Sequence, residues 1–521
     1  MLSILWLVIL IAPAATTLSS WNDWDVEPHL LFGASCWLML GMRLLLPDRV
    51  FYVLSYPIAL LGLVCIGADQ LRQVDLLELM AQWPAYTATE VTSAMRPYAV
   101  LIAVLAATLA ILALQCIRAS RPSSAYRWRL AVWLAGTAAM VSATPASVWV
   151  RAWPADLAAA LASGSIHSRA LRARLFPMAA GFEPRAPGAS WNASRRAAPA
   201  ARETFVLIIG ESVRADFLRE CGGPRKVRPL APGSLVACDV TAGSDATHTS
   251  VPLLVSREMP GHDVRISSDA TFLAAFAQVG FRTHWYGMQD RFLAWPDAQQ
   301  QAYTDAGLLN APALLPLFTA ALAEPTERQA IVLHAYDAHA PYCNRFDAAR
   351  APYAVACDRL GALPTNSTIK AWRAAYADAV DASVDFIDQV IDRLSELPGE
   401  VFLVYTPDHA ENLLDDKRQL YGHALRHPTR WDIQVPAVFW ANDAWRSSHS
   451  AGWAALRASV DAPLMHADVV PTLLGAASVA YQEPRREAAN LLANVPSNRV
   501  RKVQRSLGST TTWAALMDEA R

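Results

Sequence analysis

Apolar residues crowd the first 150 positions of the chain and thin out beyond them. Five stretches, about 1–19, 29–46, 50–68, 98–117 and 129–150, are nearly free of charge and approach the ~20 residues that a bilayer-spanning helix needs. They predict a bundle of five transmembrane helices within residues 1–154. The first stretch could instead be a cleaved signal peptide, since Ala12-Pro13-Ala14 imitates a cleavage site, although no basic segment precedes it. Arg43 and Arg49 follow the second stretch, and Arg118, Arg121, Arg127 and Arg129 follow the fourth. The loop after the first carries Asp23, Asp25 and Glu27 instead. Positive loops stay inside, so everything after the fifth stretch is expected outside the cytoplasm. Trp21, Trp24, Trp128, Trp149 and Trp153 sit at the ends of the stretches, where interfacial anchors belong.

Residues 155–176 place Arg169, Arg172 and Arg174 beside Leu161, Leu171, Leu175 and Phe176, the pattern of a helix lying on a membrane surface. A Pro-, Ala-, Gly- and Arg-rich linker, about 177–202, predicts a boundary. From 203 to 521 the pattern becomes that of a separate α/β domain. Short β-rich runs occur at Thr204–Ile209, Ile331–Leu333, Val401–Tyr405 and Val435–Trp440. Between them Tyr376, Val380, Val384, Ile387, Ile391 and Leu394 recur at helical spacing within 370–394. Alternating strands and helices predict a mostly parallel sheet sandwiched by helices. Such sheets bind ligands beyond the carboxyl ends of their strands.

A net charge of −1 leaves no electrostatic footprint for nucleic acid. Of seven cysteines, Cys36, Cys65 and Cys116 fall in apolar stretches, while Cys221, Cys238, Cys343 and Cys357 fall in the polar part. Those four allow three pairings; the sequential one, 221–238 and 343–357, closes two short loops and suits an oxidising compartment. No C-x-x-C occurs, which argues against a cysteine zinc site.

The chemistry gathers after the strands. Gly210-Glu211-Ser212 follows the first, His334 to His339 the second, and Pro407-Asp408-His409-Ala410-Glu411 the third. A hydroxyl-rich segment, Ser244 to Pro252, and His423 complete the set. Carboxylates and imidazoles are zinc ligands, and a bound metal makes a hydroxyl far easier to deprotonate. Singly, each piece reads as a turn, a helix cap or a surface histidine; the predicted convergence at one sheet edge carries the argument.

As an ordered set these residues resemble the phosphoethanolamine transferases of Gram-negative bacteria, which include the lipid A-modifying enzymes of polymyxin resistance, in the alkaline phosphatase/sulfatase superfamily. The resemblance runs over the five-helix arrangement and from about 203 to 475, through Ile209–Asp216, Thr247–Pro252, the Tyr376–Ile391 helix, Tyr405–Asn412, Val435–Trp440 and His466–Leu474. It implies an alkaline phosphatase/sulfatase-like fold and one tightly bound zinc held by Glu211, Asp408, His409 and Thr247, with Thr247 as nucleophile. His339 and His423 would serve a second zinc or the transferred phosphate, with His334 nearby. Glu411 matches a carboxylate just past the metal pair. In the loop between the third and fourth stretches, Gln82, Tyr86 and Glu90 stand where the family holds the ethanolamine head; Gln289 replaces a family asparagine. Gly243 and Leu253 stand where the family has cysteines, and Ala340 and Ala410 where it has glycines.

The implied reaction is zinc-dependent transfer of phosphoethanolamine from phosphatidylethanolamine, through a phosphothreonine, to a periplasmic-facing glycolipid such as lipid A or lipopolysaccharide core. The enzyme would be a multi-pass protein of the bacterial inner membrane, with its catalytic domain in the periplasm. Alternatives are a phosphoglycerol transferase, a hydrolase of the same superfamily, or a non-catalytic membrane partner. A sulfatase would need an arginine in its C/S-x-P-x-R motif, and Ser250-Val251-Pro252-Leu253-Leu254 has none.

Overall fold

In a computed structural model the chain divides into two compact units, Met1–Ala179 and Ala180–Arg521. The structure describes residues 2–15, 26–72, 98–119, 190–196 and 200–519, with 133–135, 137 and 155. Excepted within the last segment are 261–269, 290–296, 305–308, 361–363, 425–427, 483–487, 494, 496 and 506–509.

In the first unit, helices α1 (Leu2–Ala15), α2 (Val26–Leu45), α3 (Asp48–Arg72) and α4 (Ala99–Ala119) contribute to one apolar cluster. Trp6, Met39, Phe51, Tyr52 and Leu109 are buried in it, and Trp6 donates from its indole to Ser55 Oγ (2.9 Å). The expectation of five membrane helices is met in part. Among the described residues two helices are long and apolar enough to cross a membrane, within Asp48–Gly67 and Ala99–Arg118. α1 has 14 residues. The searched apolar part of α2 is Phe32–Leu45. The fifth stretch lies outside the described residues save 133–135 and 137, and the predicted surface helix save Ala155.

The second unit is built on an eight-stranded sheet. Its strands in chain order are β2 (Glu203–Gly210), β3 (Leu235–Thr241), β4 (Arg282–Gly287), β5 (Gln300–Tyr303), β6 (Arg328–His334), β7 (Glu400–Pro407), β10 (Gln434–Ala441) and β11 (Leu464–Met465). Small pairs are β1 (Ser194–Arg195) with β12 (Val479–Ala480), and β8 (Asn412–Leu413) with β9 (Tyr421–Gly422). Across the large sheet the order is β11-β3-β10-β7-β2-β6-β4-β5. Only β10 runs against its neighbours, β3 and β7; the other pairings are parallel. β2 lies at the centre and is buried along its whole length, which is why Thr204–Ile209 reads as a continuous β-rich run.

Alternate side chains of β2 enter two cores. Phe205, Leu207 and Ile209 pack on one face with helix α5 (Thr247–Val255). Val206 and Ile208 pack on the other with helices α6 (Asn310–Leu322) and α7 (Ile369–Ser395). α7 buries Trp372, Tyr376, Val380, Val384, Ile387, Ile391 and Leu394, a stripe of the expected period. The end of the predicted linker is part of this folded unit. Trp191 is fully buried and donates to Ala270 O (3.1 Å), and Ser194 pairs with Ala480. A Pro- and Arg-rich segment carries no periodicity that would have announced it.

Candidate active site

Strand register assembles the site. Gly210 on β2 stands opposite Pro407 on β7, so the next residues, Glu211 and Asp408, emerge side by side. Gly210 has to be glycine, because a Cβ there would collide with the Asp337 carboxylate and the Tyr405 hydroxyl. Ser212 then adopts φ 60°, a left-handed conformation costly for a non-glycine residue. That turn lets its hydroxyl donate to Glu211 Oε1 (2.8 Å) and its N–H to Asp408 Oδ1 (3.3 Å). Thr247 heads α5, whose positive end favours a phosphoryl anion.

Four side chains converge. Thr247 Oγ1 lies 3.2 Å from Glu211 Oε2 and 3.2 Å from His409 Nε2. His409 Nε2 lies 3.3 Å from Glu211 Oε1 and 3.4 Å from Asp408 Oδ2. Asp408 Oδ2 is buried and makes no hydrogen bond. A tetrahedral ion bonded to oxygen and nitrogen at about 2.0–2.1 Å holds its ligand atoms about 3.3–3.4 Å apart. The donor set and its spacing therefore fit such a cation. Ligand atoms of Glu211, His409 and His423 lie within 4.8 Å of one another, so His423 borders the same centre.

Three imidazoles are oriented alike. His409 Nδ1 faces Ala410 O (2.9 Å), His339 Nδ1 faces Ala340 O (2.6 Å), and His423 Nδ1 faces the Glu411 carboxylate (2.6 Å). These acceptors fix the Nδ1 hydrogen in each ring and leave Nε2 as the ligating or proton-accepting atom, as in metal sites. The His423 ring centre lies 4.2 Å from that of His409 and 5.2 Å from that of His339.

Two buried carboxylates demand positive charge. Burial raises Glu211, but His409, His339 and His423 more than offset it and hold the carboxyl well below the usual range. Burial and the charge of Glu211 push Asp408 well above it. Burial opposes charge on His409, yet Asp408 and Glu211 push it up to about 10. Burial holds His339 down at about 4, so it stays neutral.

The remaining residues singled out in the sequence fall in distinct places. One oxygen of Glu411 meets His423 Nδ1 and the other accepts from Tyr342 OH (2.9 Å), so it stands behind His423. Gln289 donates to Glu211 Oε2. His334 is buried at the end of β6 with its ring edge-on to Trp285 (6.0 Å), and its Nε2 makes no hydrogen bond. Gln82, Tyr86 and Glu90 lie outside the described residues. Sequence reasoning missed Tyr342, Tyr336 and Asp337. Tyr336 stacks on His339 (4.7 Å, 20°), and Asp337 accepts from Tyr405 OH (3.0 Å) behind Gly210. Tyr342 and Tyr405 are 69 and 68 positions from the carboxylates they serve, so no local pattern marks them.

The sequence profile described as Sulfatase matches residues 203–479. Phosphatidylethanolamine transferase Mcr-2 of Escherichia coli is 25% identical over 295 residues, covering 52% of each chain. The chain spans about half the length of the curated relatives it matches. The integral membrane lipooligosaccharide phosphoethanolamine transferase A (EptA) of Neisseria meningitidis has the same fold at TM-score 0.64 and 17% identity, over 93% of this chain and 96% of that one. The zinc complex of the periplasmic domain of EcEptC from Escherichia coli matches at TM-score 0.56 and 19% identity, over 64% of this chain and 99% of that one.

Proposed function

The chain belongs to the sulfatase family, and on that premise we propose that it transfers phosphoethanolamine from phosphatidylethanolamine to a periplasmic-facing glycolipid such as lipid A or lipopolysaccharide core. The observation that carries this reading is Thr247 Oγ1, a hydroxyl 3.2 Å from both the Glu211 carboxylate and the His409 imidazole, which itself faces Asp408. The names of its relatives supply the group transferred: phosphoethanolamine and phosphatidylethanolamine transferases recur among them. A lipid donor agrees with the two long apolar helices, whose Val53, Val100, Leu101, Val104 and Ile111 are exposed. Two disulfides, Cys221–Cys238 and Cys343–Cys357, agree with a periplasmic catalytic domain behind a multi-pass inner-membrane segment. In this reading the surface helix and linker run from 155 up to the folded segment that begins at about Trp191, and Glu90 holds the ammonium of the donor head.

Zinc would be held by Glu211, Asp408, His409 and Thr247, and when bound would supply the Lewis acidity that lets a threonine hydroxyl act as a nucleophile near neutral pH. Thr247 Oγ1 attacks the donor phosphorus. The bond from phosphorus to the diacylglycerol oxygen breaks, and the Thr247 proton ends on that oxygen. The helix terminus at Thr247 offsets the charge of the phosphoryl oxygens. In the second displacement the acceptor hydroxyl attacks the phosphothreonine and the bond from phosphorus to Thr247 Oγ1 breaks; Nε2 of His423, or of His339 beside it, takes the acceptor proton and returns it to Thr247 Oγ1, restoring the hydroxyl. Such double displacement gives ping-pong kinetics.

Mass spectrometry of envelope glycolipids from cells with and without the protein tests the group and the acceptor together. A phosphoethanolamine mass gain on a glycolipid is expected. A phosphoglycerol gain, or no gain on any glycolipid, overturns the proposal.

A further inference from the structure

A second polar centre lies behind the metal-type ligands, and nothing in the proposed chemistry uses it. Arg214 is buried, with 3% of its side chain exposed. Its Nη1 meets Asp415 Oδ2 (2.5 Å), while Nε and Nη2 grip both oxygens of Asp216 (2.8 and 2.7 Å). The guanidinium lies over Trp431 (4.6 Å) and Phe217 (5.1 Å). Nη1 also points at Glu411 O (3.4 Å). The Arg214 N–H donates to Tyr376 OH (2.9 Å), whose own proton goes to Ser212 O (2.5 Å).

These contacts join three segments far apart along the chain. One runs from Glu211 to Phe217, the second from Asp408 to Asp415, and the third holds Trp431 and Asp432, whose carbonyl accepts from Ala410 N–H (2.8 Å). The first two segments carry Glu211, Asp408 and His409. A buried ion pair is a poor way to gain stability, because desolvation consumes most of the attraction. Its planar fork and stacked faces do fix distances that an apolar residue would leave loose.

We infer that Arg214, clamped on Asp415, is a positioning residue that sets metal affinity by holding the loop of Glu211 against the loop of Asp408 and His409. The inference rests on the metal reading above. Arg373 supplies the control. It meets the other oxygen of Asp415 (2.7 Å) and Leu413 O (3.1 Å), but makes none of the contacts to the Glu211 segment. Its side chain is 42% exposed.

The test is zinc affinity of the full chain in detergent micelles, by competition with a chromogenic chelator, on variants that elute and melt as folded protein. Arg214→Met and Asp415→Asn are each expected to bind zinc at least about tenfold more weakly, as losses of supporting contacts do. Arg214→Lys should recover part of the loss, and Arg373→Met should bind like the unmodified chain. If Arg214→Met does not fold, Asp415→Asn carries the comparison. Unmodified protein that binds no zinc overturns the metal reading and this inference with it. Zinc bound by the unmodified chain and equally well by folded Arg214→Met or Asp415→Asn overturns the inference alone.

Discussion

Glu411→Gln separates orientation from ligation at this site. The Glu411 carboxylate accepts from His423 Nδ1 (2.6 Å) and Tyr342 OH (2.9 Å), and it is buried. Burial raises this carboxyl, but His423, His339 and His409 outweigh it and hold it below its ordinary value, so it is ionised at neutral pH. Glutamine keeps the shape and one acceptor oxygen. That oxygen can serve His423 only if the amide turns its NH₂ toward Tyr342, whose hydroxyl must then accept. A charge-assisted bond contributes about 1.5–3 kcal/mol and a neutral one about 0.5–1.5, so His423 loses about 1–1.5 kcal/mol of orientation. At about 1.4 kcal/mol per decade, kcat should fall roughly 5- to 12-fold. Glu411→Ala leaves the His423 and Tyr342 donors buried without an acceptor and should cost about 100-fold, from two unmet groups at about 1–3 kcal/mol each. Release of diacylglycerol from a phosphatidylethanolamine with a fluorescent acyl chain reads the rate, and metal analysis reads zinc. Zinc should stay near one equivalent in both variants. An unchanged kcat in Glu411→Gln, or zinc lost in step with activity, would refute the placement of Glu411 behind His423.

Other outcomes follow from the same geometry. Thr247→Ala should abolish transfer yet keep most of the zinc, while Thr249→Ala and Ser250→Ala retain measurable activity; a donor-derived adduct mapped by peptide mass to any residue but Thr247 contradicts the mechanism. Asp408 and Glu211 push His409 up to about 10 against its burial, so it holds a proton in the metal-free site at neutral pH. Zinc must displace it, so affinity should rise with pH, and calorimetry in buffers of different ionisation enthalpy should show proton release; binding without release would be the contrary result. The disulfides close loops of 17 and 14 residues, and replacing either pair by serine should lower stability by about 3 kcal/mol in denaturant titrations. Glu90→Gln should weaken transfer while leaving zinc content unchanged, and parallel loss of zinc would remove Glu90 from the donor pocket.

The residues that sequence reading found and those it missed differ in one physical respect. Glu211, Asp408 and His334 are each placed by the end of a strand buried on both faces, and such strands announce themselves as continuous apolar runs. Thr247 needed the family spacing, because its loop offers four hydroxyls and no periodicity chooses among them. β3, by contrast, carries Cys238 and Asp239 in its middle, and only three of its seven residues are buried. Its apolar run is therefore broken, and it pairs on the far side of the one antiparallel strand. The supporting contacts were hidden for another reason. Tyr342 reaches Glu411 across 69 positions and Arg214 reaches Asp415 across 201. Each of these side chains is ordinary in its own neighbourhood: a tyrosine after a proline, an arginine beside an aspartate. Their roles exist only once parallel strands have brought separate segments to a common edge. A strand end places a ligand locally, so the local sequence records it. The distance between two ligands is set by the groups that tie their loops together, and that information is distributed over the whole fold. It follows that ligand identity can be read along a chain of this kind well before ligand spacing. Spacing is what distinguishes a cluster of acids and histidines from a centre able to hold a tetrahedral ion and present a hydroxyl to it.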